Sequence, residues 1–294
     1  MPVYNSEKYV ELAIEAILCQ TYSDYELIIS DNASTDRTAE ICKAYAAKDP
    51  RIRYYRNSHN LGATPNANRV AELSSGEYFK WAFYDDLIAP QFLSKCIEVM
   101  DLDPSVVLCV PKANVINEMG ELLGVNEYTV DVTSPKPHLR FENYVIHYGA
   151  AWELFGLIRS DVLKKTKFLG WYPGSDHVYL AELALYGKFH VIPEALLFPR
   201  HHAEQTWITT PKERDRLSYE NTAMVGRIVL TKWGWVNGYL DAIRNAPLSY
   251  YERAHCCITI LRWMARPDHF RALGKDILLA TRQWFGQTFS MKSR

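Results

Sequence analysis

The stretch YELIISDNASTDRTAEICKAYAAK (residues 25–48) decides the fold. A β-branched run, YELIIS, stops at the polar loop DNASTD, and apolar residues then recur at helical spacing through TAEICKAYAAK. That order reads as strand, loop, helix. The unit repeats outward from there. Upstream, Val10, Ala13 and Ile17 recur at helical spacing behind Ser6, which can cap that helix. Downstream come IRYYR (52–56, strand), TPNANRVAEL (64–73, helix), EYFKWAFY (77–84, strand), PQFLSKCIEVM (90–100, helix) and VVLCVP (106–111, strand). Strand and helix alternating in this way predict an α/β fold with a mostly parallel central sheet flanked by helices. In such sheets ligands bind beyond the carboxyl ends of the strands, where SDNASTD and FYDD both lie.

After Pro111 the rhythm loosens. VINEMGELLG (115–124) predicts a hairpin, SDHVYLAELALYG (175–187) a helix, and KFHVIPEALLFPRHH (188–202) one or two strands. From Pro211 onward the pattern is mainly helical. The expected division is an α/β domain over residues 1–210 and a helical extension over 211–294.

Composition narrows the function classes. The 294 residues carry 33 basic and 34 acidic side chains, a formal net charge of −1, so no basic excess exists to neutralise nucleic-acid phosphates. The six cysteines show no metal-ligand spacing and read as mostly buried, reduced thiols of a cytosolic protein. No apolar run is long enough to span a bilayer. No GxGxxG follows a first strand, which argues against a dinucleotide-dependent oxidoreductase. Residues 250–294 interleave Arg253, Arg262, Arg266, Arg271, Lys275, Arg282, Lys292 and Arg294 with Trp263, Phe270, Trp284, Phe285 and Phe289. Such a segment can lie on an anionic membrane surface, or can pack its aromatics on the core and solvate its charges.

Four places can carry chemistry. Asp31 closes a strand and can point into the ligand crevice, whereas Ser34 and Asp36 suit turn and cap positions. Asp85 and Asp86 end an aromatic run. As neighbours in extended chain they point to opposite sides, and two hard oxygen donors suit Mg²⁺ or Mn²⁺ together with substrate phosphates. Asp176 sits in the first turn of a helix, where it can complement the dipole or act as a general base, and His177 beside it reads as a surface histidine. Arg200, His201 and His202 follow an apolar run: a histidine there can be a nitrogen ligand of the same cation, and the arginine can pair with phosphate.

In order and spacing, PVYNSEKYVELAIEAILCQTYSDYELIISDNASTDRTAEI followed by NLGATPNANRVAELSSGEYFKWAFYDDLIAPQFL resembles glycosyltransferase family 2, over about residues 2–207. The resemblance implies a GT-A fold and inverting transfer of a sugar, of the hexosyl or N-acetylhexosaminyl class, from a nucleotide-sugar. The donor is most often a UDP-sugar, with GDP- and dTDP-sugars also used. The acceptor would be a glycan or lipid-linked sugar in surface polysaccharide synthesis, on the cytoplasmic side and peripheral to the membrane.

Residue by residue, Pro2, Tyr4 and Asn5 match the opening turn against the base, and Asp31 the acid that reads the uracil edge. Asn60 and Gly62 match the NxG turn, and Asn68 the helix bordering the nucleotide. Asp85 and Asp86 match the DxD-type motif that faces ribose and holds the divalent metal. Asp176 matches the catalytic base, Arg200 a diphosphate contact and His202 a metal ligand. The acceptor is expected against residues 148–156 and 170–176, where Trp152, Trp171 and Tyr172 can stack on sugar rings.

Three features depart from the family pattern. Phe83 stands where the fuller motif has an acid, and Ser175 where the base has an acidic neighbour. The chain also starts inside the PxYN block, so the central strand is expected to be absent, with folding or nucleotide binding weakened. These departures keep a second reading open, a non-catalytic binding module on the same fold.

Overall fold

Leu27–Asp31 forms strand β2, buried at every position. A strand covered on both faces reads as a continuous apolar run, as Leu27, Ile28 and Ile29 do, while the buried Ser30 hydroxyl donates to Asn66 Oδ1. Around it a computed structural model describes residues 1–126, 130–203, 205, 217, 219–225, 227 and 229–291, with side chains described as far as residue 281. The strands are β1 (Pro2–Val3), β2, β3 (Ile52–Arg56), β4 (Tyr78–Phe79), β5 (Leu87–Ile88), β6 (Val106–Ile116), β7 (Leu122–Asn126), β8 (Leu157–Arg159) and β9 (Lys188–Phe198). The helices are α1 (Val10–Leu18), α2 (Thr38–Lys48), α3 (Ala63–Glu72), α4 (Phe92–Leu102), α5 (Pro137–His147), α6 (Ser160–Leu163), α7 (Ser175–Tyr186), α8 (Thr231–Asn245), α9 (Tyr250–Met264) and α10 (Pro267–Met291).

The sheet is in two parts. The first is parallel, in the order β1–β2–β3, with Pro2 opposite Ser30 and Asp31 opposite Arg56. The second runs β4–β8–β6–β9–β5, with β7 hairpinned onto β6. There only β6 and β9 run parallel, so the expectation of a mostly parallel sheet holds for the first part alone. The aromatic run EYFKWAFY also departs from expectation. Only Tyr78 and Phe79 pair in a strand, after which the chain leaves the sheet and buries Trp81, whose indole N–H donates to the Ala67 carbonyl at 2.9 Å.

The first strand is not absent but two residues long. A groove of about 530 Å³ lies between β2 and β4, walled by Leu27, Ile28, Tyr78, Phe79 and Ile97. The Met1 amine sits at its end, fully buried, and donates to the Ile28 carbonyl at 2.6 Å. Burial, then the charge of Lys80, pushes the amine down to about 5.

Ser6 does not cap α1 through its side chain. Its hydroxyl accepts from the Tyr4 N–H, and its carbonyl accepts from the Tyr9 and Val10 N–H groups.

The C-terminal helices share one core with the α/β region. Trp235, Tyr239 and Trp263 belong to the apolar cluster that holds Phe79, Trp81, Leu108 and Tyr179. Trp263 stacks on Trp235 at 5.8 Å, so it is a core residue and not part of an exposed aromatic stripe. Arg282, Trp284, Phe285, Phe289, Lys292 and Arg294 lie outside the described side chains. Cys42, Cys96, Cys109 and Cys256 are buried thiols, while Cys19 and Cys257 are exposed.

Candidate functional site

The opening turn and the DNASTD loop are laced together. The Asn5 N–H donates to Ser34 Oγ at 3.0 Å, the Ser6 N–H to Thr38 Oγ1 at 2.6 Å, and the Thr35 N–H to Asn5 Oδ1 at 2.8 Å. Asn5 holds a left-handed conformation (φ 48°), which asparagine tolerates. Tyr4 is exposed beside it, and Pro2 is taken up in β1.

Asp31 is not presented to the crevice. Its side chain is 0% exposed: Oδ1 accepts from the Ser34 N–H at 2.8 Å, and Oδ2 from the Tyr54 hydroxyl at 2.6 Å and from Arg56. Burial works to raise the carboxyl, but these donors hold it below the usual carboxylate range. A base could reach Asp31 only if Arg56 moved away. Here the residue ties loop to strand.

Asn60 and Asn68 are engaged in the same way. Asn60 Oδ1 accepts from the Gly62 N–H at 2.8 Å and from Asn32 Nδ2 at 2.8 Å, closing the NLG turn onto the DNASTD loop. Asn57 and Asn66 extend this amide network under β2. Asn68 donates to the Leu169 carbonyl at 2.8 Å and accepts its N–H at 3.1 Å, which pins α3 to the 167–172 loop.

FYDD and PRHH do converge. His202 Nε2 lies 3.0 Å from Asp85 Oδ2, and the Arg200 N–H donates to Asp86 Oδ1 at 3.0 Å. Asp85, Asp86 and Arg200 border a cavity of about 510 Å³ lined also by Phe83, Trp152, Phe155 and His201, and His202 stands behind Asp85, buried. Burial, then the Asp85 charge, raises the Asp86 carboxyl well above its ordinary value.

Arg200 is 2% exposed, and its guanidinium is committed to the carbonyls of Asp85, Asn117 and Glu118. Its Nε and Nη1 clamp these carbonyls, and the residue also lines the cavity.

Among the described residues no group of three or more His, Cys, Asp or Glu is assembled around a metal position. One carboxylate and one imidazole nevertheless face each other at the cavity, and His202 Nδ1 is buried without a partner. This donor pair fits a hard cation that takes its remaining ligands from water and substrate phosphates.

Asp176 enters from another side. It starts α7, and its Oδ1 accepts from the His177 N–H at 2.9 Å. It does not line the Asp85 cavity. The 3₁₀ turn Trp152–Phe155 spans the gap, with Trp152 and Phe155 lining the cavity and Glu153 buried on the Asp176 side. Burial, and to a lesser extent the Asp176 charge, pushes Glu153 up. An acid from a distant turn thus stands near Asp176, whose sequence neighbour is Ser175. His177 is not a surface residue: its ring packs against Tyr148 at 4.6 Å and Trp235 at 5.4 Å.

Four participants were not read from the sequence: Arg56, Tyr9, Lys80 and Glu153. Tyr9 sets its ring 5.0 Å from His202 and 4.9 Å from the Arg200 guanidinium. Lys80, whose ammonium burial lowers to about 8, donates to the Phe155 carbonyl at 2.6 Å and supplies positive charge near Asp86. Of these only Lys80 left a sequence signal, as the lone cation inside an aromatic run.

Residues 1–148 match the family model described as glycosyl transferase family 2. The chain belongs to that family. An uncharacterized glycosyltransferase of Haemophilus influenzae is 27% identical over 209 residues, 69% of this chain and 64% of that protein, so the match spans just under two thirds of that relative. Among solved structures, S. aureus TarS 1–349 in complex with UDP-GlcNAc superposes with TM-score 0.64 at 18% identity, covering 94% of this chain and 79% of that one. The mannosyltransferase PcManGT of Pyrobaculum calidifontis, in complex with GDP-Man and Mn²⁺, gives TM-score 0.53 at 14% identity, covering 96% and 81%. These neighbours share the GT-A fold with this chain.

Proposed function

We propose that this family 2 chain is an inverting glycosyltransferase. It would move a hexosyl or N-acetylhexosaminyl unit from a nucleotide-sugar, with UDP as the nucleotide, to a glycan or lipid-linked acceptor in surface polysaccharide synthesis. The observation that carries the reading is the meeting of Asp85 and His202 at an aromatic-walled cavity. Family membership and the sugar-nucleotides named for TarS and PcManGT support a nucleotide-sugar donor, and the UDP-GlcNAc of TarS supports UDP.

Asp85 and His202 would hold a divalent cation jointly with the donor diphosphate, with Asp86 beside them. Such a cation, Mn²⁺ or Mg²⁺, supplies charge stabilisation for the departing nucleoside diphosphate. Asp176 would take the proton from the acceptor hydroxyl as that oxygen attacks the anomeric carbon from the face opposite the leaving group. Its Oδ1 is oriented by the His177 N–H, which leaves Oδ2 for the proton. One displacement inverts the configuration. Tyr4 and Asn5 would border the base. The Trp152–Phe155 turn would keep water from the reacting centre.

Among the described residues no helix is long and apolar enough to cross a membrane. Ile258, Leu261, Phe270 and Leu278 are exposed on α9 and α10 near Arg262, Arg271 and Lys275, which supports a peripheral position at the cytoplasmic membrane face.

The enclosure of both Asp31 and Arg200 favours the second reading, a non-catalytic nucleotide-sugar binding module. One experiment separates the two. Donor hydrolysis is followed with Mn²⁺ across UDP-, GDP- and dTDP-sugars for wild type, Asp85→Ala and Asp176→Asn, alongside thermal stabilisation by UDP. Metal-dependent hydrolysis of one donor, lost in Asp85→Ala, is expected. UDP stabilisation with no turnover of any donor, even with acceptor extracts, would leave the binding module standing. Folded protein that UDP and Mn²⁺ do not stabilise would sink both.

A further inference from the structure

A second cavity, of about 690 Å³, shares no lining residue with the one at Asp85. It lies between the 167–172 loop, the face of α7 carrying Ser175, Val178, Tyr179 and Glu182, and the face of α8 carrying Trp233, Asn237 and Asp241. Its walls are held in place. Asn68 pins the loop through both hydrogen bonds to Leu169, and Tyr172 seats on Gly238, where an added Cβ would stand 2.6 Å from the tyrosine hydroxyl.

Glu182 is the unusual member. It is 6% exposed, and Lys167, through its backbone and its charge, is the neighbour that favours the ionised form. Asp241, by contrast, is paired with Lys167 at 2.7 Å and Arg244 at 3.1 Å. A buried carboxyl costs stability unless it is satisfied, so Glu182 on a cavity wall needs a further donor. Trp171, 41% exposed, stands at the rim.

We infer that this cavity seats a sugar residue of the acceptor, with the Trp171 ring against the sugar face and Glu182 and Asn237 on its hydroxyls. The inference rests on the transferase reading above. Two arguments select a sugar over a cation. The polar wall mixes donors (the Lys167 ammonium and the Asn237 amide) with acceptors, which suits hydroxyls that do both, whereas a cation has no use for the donors. The position also fits. Ser175 adjoins Asp176, and Glu182 lies seven residues further along the helix, about 10 Å away. Asp176 lines neither cavity, so the unit that reacts would be the neighbour of the one seated at Glu182. Burial also pushes the Glu182 carboxyl up to about 7, so near neutral pH it can donate as well as accept.

The test is saturation-transfer NMR. Its probes are methyl glycosides and disaccharides of glucose, galactose, mannose and N-acetylglucosamine, with ethylamine as the cationic control. The proteins are wild type, Trp171→Ala and Glu182→Gln, and thermal stabilisation by UDP is measured on the same preparations. At least one saccharide should bind wild type, weaken about tenfold in each variant, and stay bound under saturating UDP. Trp171 is at the rim, so its truncation leaves the fold intact if Glu182→Gln does not. UDP stabilisation without saccharide binding, or binding that survives both variants, would overturn the assignment while the donor reading stood. Ethylamine binding in place of every saccharide would overturn it as well. Saccharide binding without any UDP stabilisation would remove the transferase reading, and with it the acceptor role.

Discussion

His202 Nε2 stands 3.0 Å from Asp85 Oδ2 across 117 residues of chain, and the Arg200 N–H beside it holds Asp86 Oδ1. The end of β9 is thereby stitched to the segment that leaves β4, and the two aspartates take different roles. Truncating either member of the first pair should lower metal-dependent donor turnover by about two orders of magnitude. A chelator should do the same to the wild type. Initial rates of nucleotide release, with circular dichroism to confirm folding, measure this. Full turnover in both Asp85→Ala and His202→Ala would refute it.

Arg200 should behave as a clamp. Arg200→Ala strands the carbonyls of Asp85, Asn117 and Glu118, at an expected loss of about 3 kcal/mol of unfolding free energy. Arg200→Lys should recover less than half, because an ammonium cannot reproduce the planar fork. Urea titration decides. A stable Lys variant with only a raised donor KM would restore the diphosphate role.

Gly62 carries φ +96°, and a Cβ there would stand 2.6 Å from the Asn221 Cα and the Glu220 carbonyl oxygen. Glu220 and Thr222 cross the NLG turn at this point, holding Thr64 Oγ1 at 2.6 Å and the Asn60 carbonyl at 2.9 Å. Gly62→Ala should cost about 2–3 kcal/mol, combining backbone strain with the displaced segment. Gly120→Ala, with φ +86° in open space, should cost only the strain, about 1 kcal/mol. Equal losses at both positions would show that the Glu220–Thr222 crossing contributes nothing.

Burial pushes the Met1 amine down to about 5, so between pH 5 and 8 the folded state holds it neutral while the unfolded state still binds a proton. Its contribution is therefore present above pH 8 and is lost as pH falls toward 5, at about 4 kcal/mol in full. Placing four or five apolar, β-branched residues ahead of Met1 replaces the amine with a peptide N–H and gives the groove between β2 and β4 a strand to pair. The melting temperature should rise, most of all near pH 5.5. An unchanged melt would mean that the groove does not accept a strand.

Glu182 has the opposite sign. Its folded pKa is raised from 4.5 to about 7, so stability falls as pH rises from about 4.5 to 7 and is level above that. The full effect is about 3 kcal/mol. Between pH 5 and 7 it offsets the Met1 slope, and wild type alone would show little net change. Glu182→Gln should expose the Met1 slope and stabilise the protein at pH 8. A parallel pair of pH–stability curves would refute the assignment.

Local pattern carried much of the architecture. IRYYR is β3 and TAEICKAYAAK is α2, each with the expected bounds, and SDHVYLAELALYG is α7 but for its last residue, Gly187, because periodicity and flanking turn residues act over a few positions. EYFKWAFY read as a long strand because its residues suit one. It pairs over two residues only, since a strand needs a partner edge, and beyond Phe79 the chain leaves β8.

The sequence by itself determined the order of strands and helices, the family, and the residue types gathered at strand ends. It led to the expectation of Asp85, Asp86 and His202 around one cation, and the fold brings Asp85 and His202 within 3.0 Å of each other. Tertiary structure alone decided which marked residues are free to act. Asp31, Asn60, Asn68 and Arg200 carry the right groups, but each is already hydrogen-bonded within the fold, to Arg56, Gly62, Leu169 and Asn117 respectively. The same folding set Glu153 beside Asp176 and left Glu182 facing a cavity. The physical reason is that a side chain's chemistry is local, while the partners that satisfy or spare it arrive from distant parts of the chain.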